Sequence, residues 1–290
     1  MLARHIIVVV FTAVCGFFVL SCTSRSNDKE TTDVTVTKPV LTKVPKRSKE
    51  PVLISDEELM REKAYNVRAD GLFDDFLFNY VNDIELQSQR THFPLEITMT
   101  NGEKFILEQD EWRETFAFMT GDYTTNLYNS EQEMGLNEDT TLLSASLEKI
   151  DLLTHAITYY DFVRVDGLWY LHSIRVSDFK HSDLRSFLTF YSKFSQDSIY
   201  QQRSIPSSIR MSIQVPDDEN LSIEGFITKE QWGTMSSGIP NGVITNIRYG
   251  QSFKSTRKIW MEKISMGNGM SEMFIFRKRG SNWVLEGYEN

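Results

Sequence analysis

The residues best placed for acid-base chemistry are an aspartate and a histidine that one hairpin could bring together. Asp166-Gly167 has the composition of a two-residue turn, and if it closes one, residues whose numbers sum to 333 face each other, which sets Asp161 opposite His172. A carboxylate beside an imidazole fixes its tautomer and raises its pKa, the requirement for general acid-base work. Strand periodicity puts His155, Tyr159, Asp161, Tyr170 and His172 on one face and Phe162, Trp169 and Leu171 on the other. The competing reading is an ordinary cross-strand charged pair on a solvated face. Beyond His5 in the leader, the histidines are His92, His155, His172 and His181, with none after residue 181. No metal site is expected, because His92 is read as preceding the first strand and no ligand spacing links the three earlier histidines. Signatures for zinc proteases, serine hydrolases, P-loops, dinucleotide folds and EF-hands are absent, so no cofactor is expected.

The elements that would position these residues occur twice. SQRTHFPL (88–95) is answered by YQQRSIPS (200–207), and Gln89-Arg90 aligns with Gln202-Arg203 at a spacing of 113. Apolar residues at helical spacing precede both: Phe73, Phe76, Leu77, Tyr80 in one copy and Leu184, Phe187, Phe190, Tyr191, Phe194 in the other. Asn101-Gly102 marks a two-residue hairpin turn, Trp112 is answered by Trp232 in a short helix capped by Asp110 or Thr228, and Gly267-Asn268-Gly269 reads as a turn. The strands at 161–174 and 273–288 pair Phe162 with Phe274 and Trp169 with Trp283. A capping box at Ser55 to Glu58 starts the first copy. Helices followed by hairpins and long strands make an α+β pattern, with one domain over 55–177 and a second over 178–290. A residue present in both copies is most simply architectural, so Arg90 and Arg203 are expected to satisfy helix ends or pair with Asp110 and Glu230. Binding an anionic ligand is their sharper alternative. His155, Tyr159 and Tyr170 are the other ligand-binding candidates.

The chain opens with Arg4, an apolar run from Ile6 to Leu20 and then Leu20-Ser21-Cys22, which reads as a secretory leader (1–21) ending in a lipobox. Residues 22–54 are a polar tether, and its stretch from Thr23 to Pro51 holds seven basic residues against four acidic ones. The rest, with 23 basic against 36 acidic residues, is too acidic to suggest a nucleic-acid partner. Cys15 leaves with the leader and Cys22 is taken by lipid, so stability must come from packed cores without disulfides.

The lipobox resembles that of bacterial lipoproteins, which implies cleavage before Cys22, lipidation of its sulfur and a membrane partner through that anchor. Thr23 in place of aspartate favours the outer membrane, and the lack of an immediate acidic run favours its periplasmic side. The order of elements and the closing F-x-R-x-x-G-x-W-x-L strands resemble the nuclear-transport-factor-2-like (cystatin-like) fold. That likeness implies two tandem cones, each a curved antiparallel sheet around helices. As a whole, the chain resembles Bacteroidetes lipoproteins known by a domain of unknown function. The resulting expectation is a non-catalytic envelope lipoprotein that binds a small ligand, glycan, peptide or protein through its cones. The alternatives are an isomerase- or dehydratase-like enzyme using Asp161 and His172, and a spacer or assembly subunit of an envelope complex.

Overall fold

The computed structural model describes residues 70–112, 123–215, 218–235, 238–266 and 269–290. The leader, the tether, the Ser55 capping box and Gly267-Asn268 lie outside them. By compactness the chain divides into Met1–Leu53 and Ile54–Asn290, and every described residue belongs to the second unit.

Aromatic residues at helical spacing build the cores. In α1 (Phe73–Asn82), Phe73, Phe76, Leu77 and Tyr80 form one buried stripe. In α3 (Arg185–Gln196), Phe187, Phe190, Tyr191 and Phe194 do the same. Each helix gives way to a short one, α2 (Ile84–Gln89) or α4 (Ser198–Arg203), and the junction has a chemical cause. Asp83 accepts the Glu85 and Leu86 amides, while Asp197 accepts those of Ile199 and Tyr200, so each carboxylate caps the helix that follows it.

The strands form two six-stranded sheets. The first half supplies β1 (Thr91–Thr98), β2 (Lys104–Leu107), β3 (Tyr123–Tyr128), β4 (Ser144–Asp151), β5 (Ala156–Val165) and β6 (Leu168–Asp178). The second half supplies β7 (Ser208–Val215), β8 (Asp218–Thr228), then α5 (Lys229–Met235), β9 (Val243–Arg248), β10 (Lys258–Ser265), β11 (Ser271–Arg279) and β12 (Asn282–Glu289). The sheet orders are β2-β1-β6-β5-β4-β9 and β3-β10-β11-β12-β7-β8, and each departs from the expected antiparallel arrangement at one pair, since β1 runs parallel to β6 and β7 to β12. Sheet membership therefore does not follow the boundary at residue 178: β3 joins the second sheet and β9 the first.

The exchanged strands are locked together by side chains. Thr125 N donates to Thr245 Oγ1 at 2.9 Å and Thr245 N to Thr125 Oγ1 at 2.9 Å, while each hydroxyl donates to the other's carbonyl at 2.6 and 2.8 Å. One step along, Asn246 Oδ1 accepts the Leu127 amide at 2.8 Å and Asn126 Oδ1 accepts the Ile247 amide at 3.3 Å. Buried amides with no ladder partner must be satisfied somewhere, and here a hydroxyl and an amide from each half satisfy the other's.

In the helices and the closing strands, side-chain equivalence fixes the spacing of the repeat at 114 residues, not 113. Phe162 takes the edges of Phe73, Phe76 and Tyr80 at 5.3, 5.8 and 5.4 Å, and Phe276 takes those of Phe187, Phe190 and Phe194 at 5.3, 5.9 and 5.4 Å. Phe162 thus corresponds to Phe276, where sequence alignment gave Phe274. Arg90 corresponds to Ser204, since their carbonyls accept from Leu171 and Leu285 in turn. Two smaller expectations shift likewise. The first hairpin closes through Met99 and Glu103 around a three-residue loop with Gly102 at positive φ, and the turn before Trp112 is capped by Glu108 instead of Asp110. Thr228 does cap the helix of Trp232, in reciprocal bonds with Gln231.

Thr245→Val keeps shape and orphans two buried backbone groups of β3. It is expected to lower stability by about 2–4 kcal/mol, measured by urea denaturation.

Candidate functional site

The face of the first sheet turned away from α1 carries the residues singled out above, and one extra residue decides their neighbours. Asp166 and Gly167 both have positive φ and make the expected turn, after which Val165 pairs with Leu168 and Phe162 with Leu171. Beyond that pair the register shifts, so that Asp161 pairs with Ser173 and His172 is left unpaired in β6. The expected Asp161–His172 pair does not form, because a bulge adds one residue to one strand and breaks the sum rule. Asp161 instead accepts from Ser146 Oγ at 2.6 Å and from Arg175 in a bidentate pair, Nη2 at 2.8 Å. Its carboxylate is engaged, and it has no bond to an imidazole.

His172 meets His92, Nδ1 to Nδ1 at 3.5 Å. His92 is not ahead of the first strand: it is the second residue of β1, and β1 runs parallel to β6. Its ring stacks on Tyr170 at 4.8 Å with a 19° tilt. Burial, with His172 adding to it, holds the His92 pKa below the usual histidine value. Glu96, on the same face, is bound by Lys104 at 2.9 Å, which lowers its pKa.

The remaining candidates scatter. Arg90 is buried and donates to Asp70 at 2.7 Å, with its guanidinium 5.4 Å from the centre of the Tyr170 ring, so its expected pairing with Asp110 is replaced. Arg203 is exposed, lies one position off the true equivalent of Arg90, and has no ion pair with Glu230. The two arginines therefore share no role. His155, at positive φ just ahead of β5, packs against the second-half core, bonding Ser192 Oγ at 3.1 Å and stacking on Phe179. Tyr159 stays on the face under the Arg175 guanidinium at 4.4 Å, with burial pushing its pKa up to about 12. His181 pairs locally with Asp178.

The sequence reading missed a buried ionic group beside the exchanged strand β9. Arg248 donates to Glu148 at 2.9 Å and to Asp183 at 2.6 and 3.1 Å, while Asn246 donates to the second Glu148 oxygen at 2.7 Å. Burial pushes the Glu148 pKa up against the pull of Arg248 and Asn246. Burial also acts on Asp183, but Arg248 and the Phe253 amide hold that carboxyl below its ordinary value. At the matching place in the second sheet, Tyr128 stands for Arg248 and donates to Glu262 at 3.0 Å, and Tyr249 donates to Asp74 at 2.7 Å. Burial raises the Asp74 pKa, with Glu262 and Asp75 adding to it. The signal was available in Thr-Asn-Leu (125–127) and Thr-Asn-Ile (245–247), a repeat at the same spacing of 120 that relates Trp112 to Trp232.

The chain matches the family model described as a domain of unknown function (DUF4348) over residues 54–290. It is similar to a crystal structure of an NTF2-like protein from Bacteroides fragilis, with 30% identity and a TM-score of 0.70, covering 76% of this chain and 96% of that one. No curated protein matches it.

Removing one partner of a buried ion pair is far costlier than removing one at the surface. Arg248→Met is expected to destabilise the fold by about 3–5 kcal/mol and Arg175→Met by about 1 kcal/mol or less, compared by thermal unfolding.

Proposed function

The chain belongs to the DUF4348 family on an NTF2-like fold, and on that premise we propose that it acts by binding rather than catalysis, as an envelope lipoprotein anchored through Cys22. The supporting observation is the filled interior. Phe73, Phe76 and Tyr80 crowd onto Phe162 and Trp169, and Phe187, Phe190, Tyr191 and Phe194 onto Phe276 and Trp283, all but Phe190 and Trp283 at 1% exposure or less. A fold alone does not choose between enzyme and binding module, so the choice rests on these side chains. An isomerase- or dehydratase-like reaction through Asp161 and His172 loses its support, since one is held by Arg175 and the other faces His92.

Partner contact is assigned to the outer face of the first sheet, where Tyr170, His172 and Arg175 combine a ring with donors. Such a surface suits a protein, peptide or glycan. The membrane attachment rests on the leader and Cys22, the outer-membrane, periplasm-facing placement on Thr23 and the residues after it, and the stand-off on the basic tether. Among the described residues no helix is long and apolar enough to cross a membrane.

Two outcomes test this reading in cells. Cys22→Ala should move the protein from the membrane pellet to the soluble fraction. A photo-crosslinking residue at Tyr170 should trap an envelope component that one at the exposed Thr141 does not. Unchanged pelleting would remove the anchor, and no adduct at Tyr170 would remove the binding face.

A further inference from the structure

The His92–His172 contact has the dimensions of a metal chelate. Zinc-to-imidazole bonds of about 2.0–2.1 Å at tetrahedral angles place two ligand nitrogens about 3.3–3.4 Å apart, whereas neighbouring ligands at a square-planar or octahedral ion lie about 2.9 Å apart. The two Nδ1 atoms are 3.5 Å apart, at the outer limit for a hydrogen bond between them. Closing that gap around one zinc ion takes an angle of about 117° at the metal, near the tetrahedral value.

Both histidines are presented by the same backbone irregularity. β1 and β6 pair at Thr91 with Leu171 and again only at Glu96 with Ser173, so His92 falls in the looped part of β1 and His172 is the unpaired residue of β6. Bulges re-aim side chains, and this double one turns two imidazoles toward each other. The Tyr170 ring holds the His92 plane, and the two imidazole planes stand at 89° to each other. Among the described residues neither imidazole hydrogen-bonds a carboxylate, unlike His181, which bonds Asp178.

The surrounding charge permits a cation. Arg90, below Tyr170, is neutralised by Asp70, and Glu96, near His172 on the same face, is paired with Lys104, so neither pair leaves a net positive charge beside the histidines. Among the described residues no set of three or more His, Cys, Asp or Glu is arranged to hold a metal. Two protein nitrogens leave two positions to water or to a ligand from outside, which makes a weaker, exchangeable site in place of a closed structural one.

We propose that His92 and His172 chelate a tetrahedral divalent ion of the zinc class through their Nδ1 atoms on the outer face of the first sheet. The inference goes beyond the binding function above and is independent of it, since it is read on the purified chain with no partner present. The test is titration of the untagged full-length protein with Co2+, followed by displacement with Zn2+. The visible bands of four-coordinate cobalt should appear at one equivalent per chain and disappear on adding zinc. His172→Ala, at an exposed position, should weaken binding about tenfold or more, while His181→Ala should leave it unchanged. Absent bands, bands of six-coordinate cobalt, or affinity equal in wild type and His172→Ala would each overturn the proposal.

Discussion

Four hydrogen bonds between Thr125 and Thr245 hold the point on which the rest of the molecule turns. They join two strands that have each left their own half, and each sheet ends in a strand from the other. An exposed sheet edge is a liability, because its unpaired amides and carbonyls invite other chains. Here two such edges face one another and are satisfied by threonine hydroxyls and asparagine amides. The ionic group of Glu148, Arg248, Asp183 and Asn246 follows from the same exchange. It sits where β9 lies against β4, so a second-half arginine neutralises a carboxylate buried in the first sheet.

The two copies are alike where they pack and unlike where they face water. Phe162 and Phe276 have nearly the same three aromatic neighbours at nearly the same distances, and Asp83 and Asp197 cap the same helix start. The first copy alone adds histidines, an Arg175 stacked on Tyr159, and the bulge that turns His172 outward. Duplication preserved what close packing demands, which is intolerant of volume change. The polar outer face, free of that constraint, diverged, and the partner contact is placed there.

Helices, strands and the duplicated plan were legible because apolar periodicity and turn residues are local. Asp166-Gly167 named its own turn, and Phe73 to Tyr80 named their own buried stripe. The pairing of Asp161 was not legible, because a bulge is a choice between neighbouring strands and leaves no mark in one strand alone. For the same reason the exchange of β3 and β9 was invisible: a strand's sequence states that it pairs and is silent on which sheet receives it. The spacing of 113 taken from Gln-Arg misassigned Arg203 by one residue, whereas buried side chains such as Trp169 and Trp283 give 114.

The strand exchange ties the two copies, across the described residues, into one cooperative body although the sequence repeats one plan. Calorimetry of thermal unfolding tests that cooperativity directly, because independently stable halves unfold in separate steps. A single transition whose calorimetric and van't Hoff enthalpies agree is the predicted result. Two transitions, each with about half the heat, would contradict it.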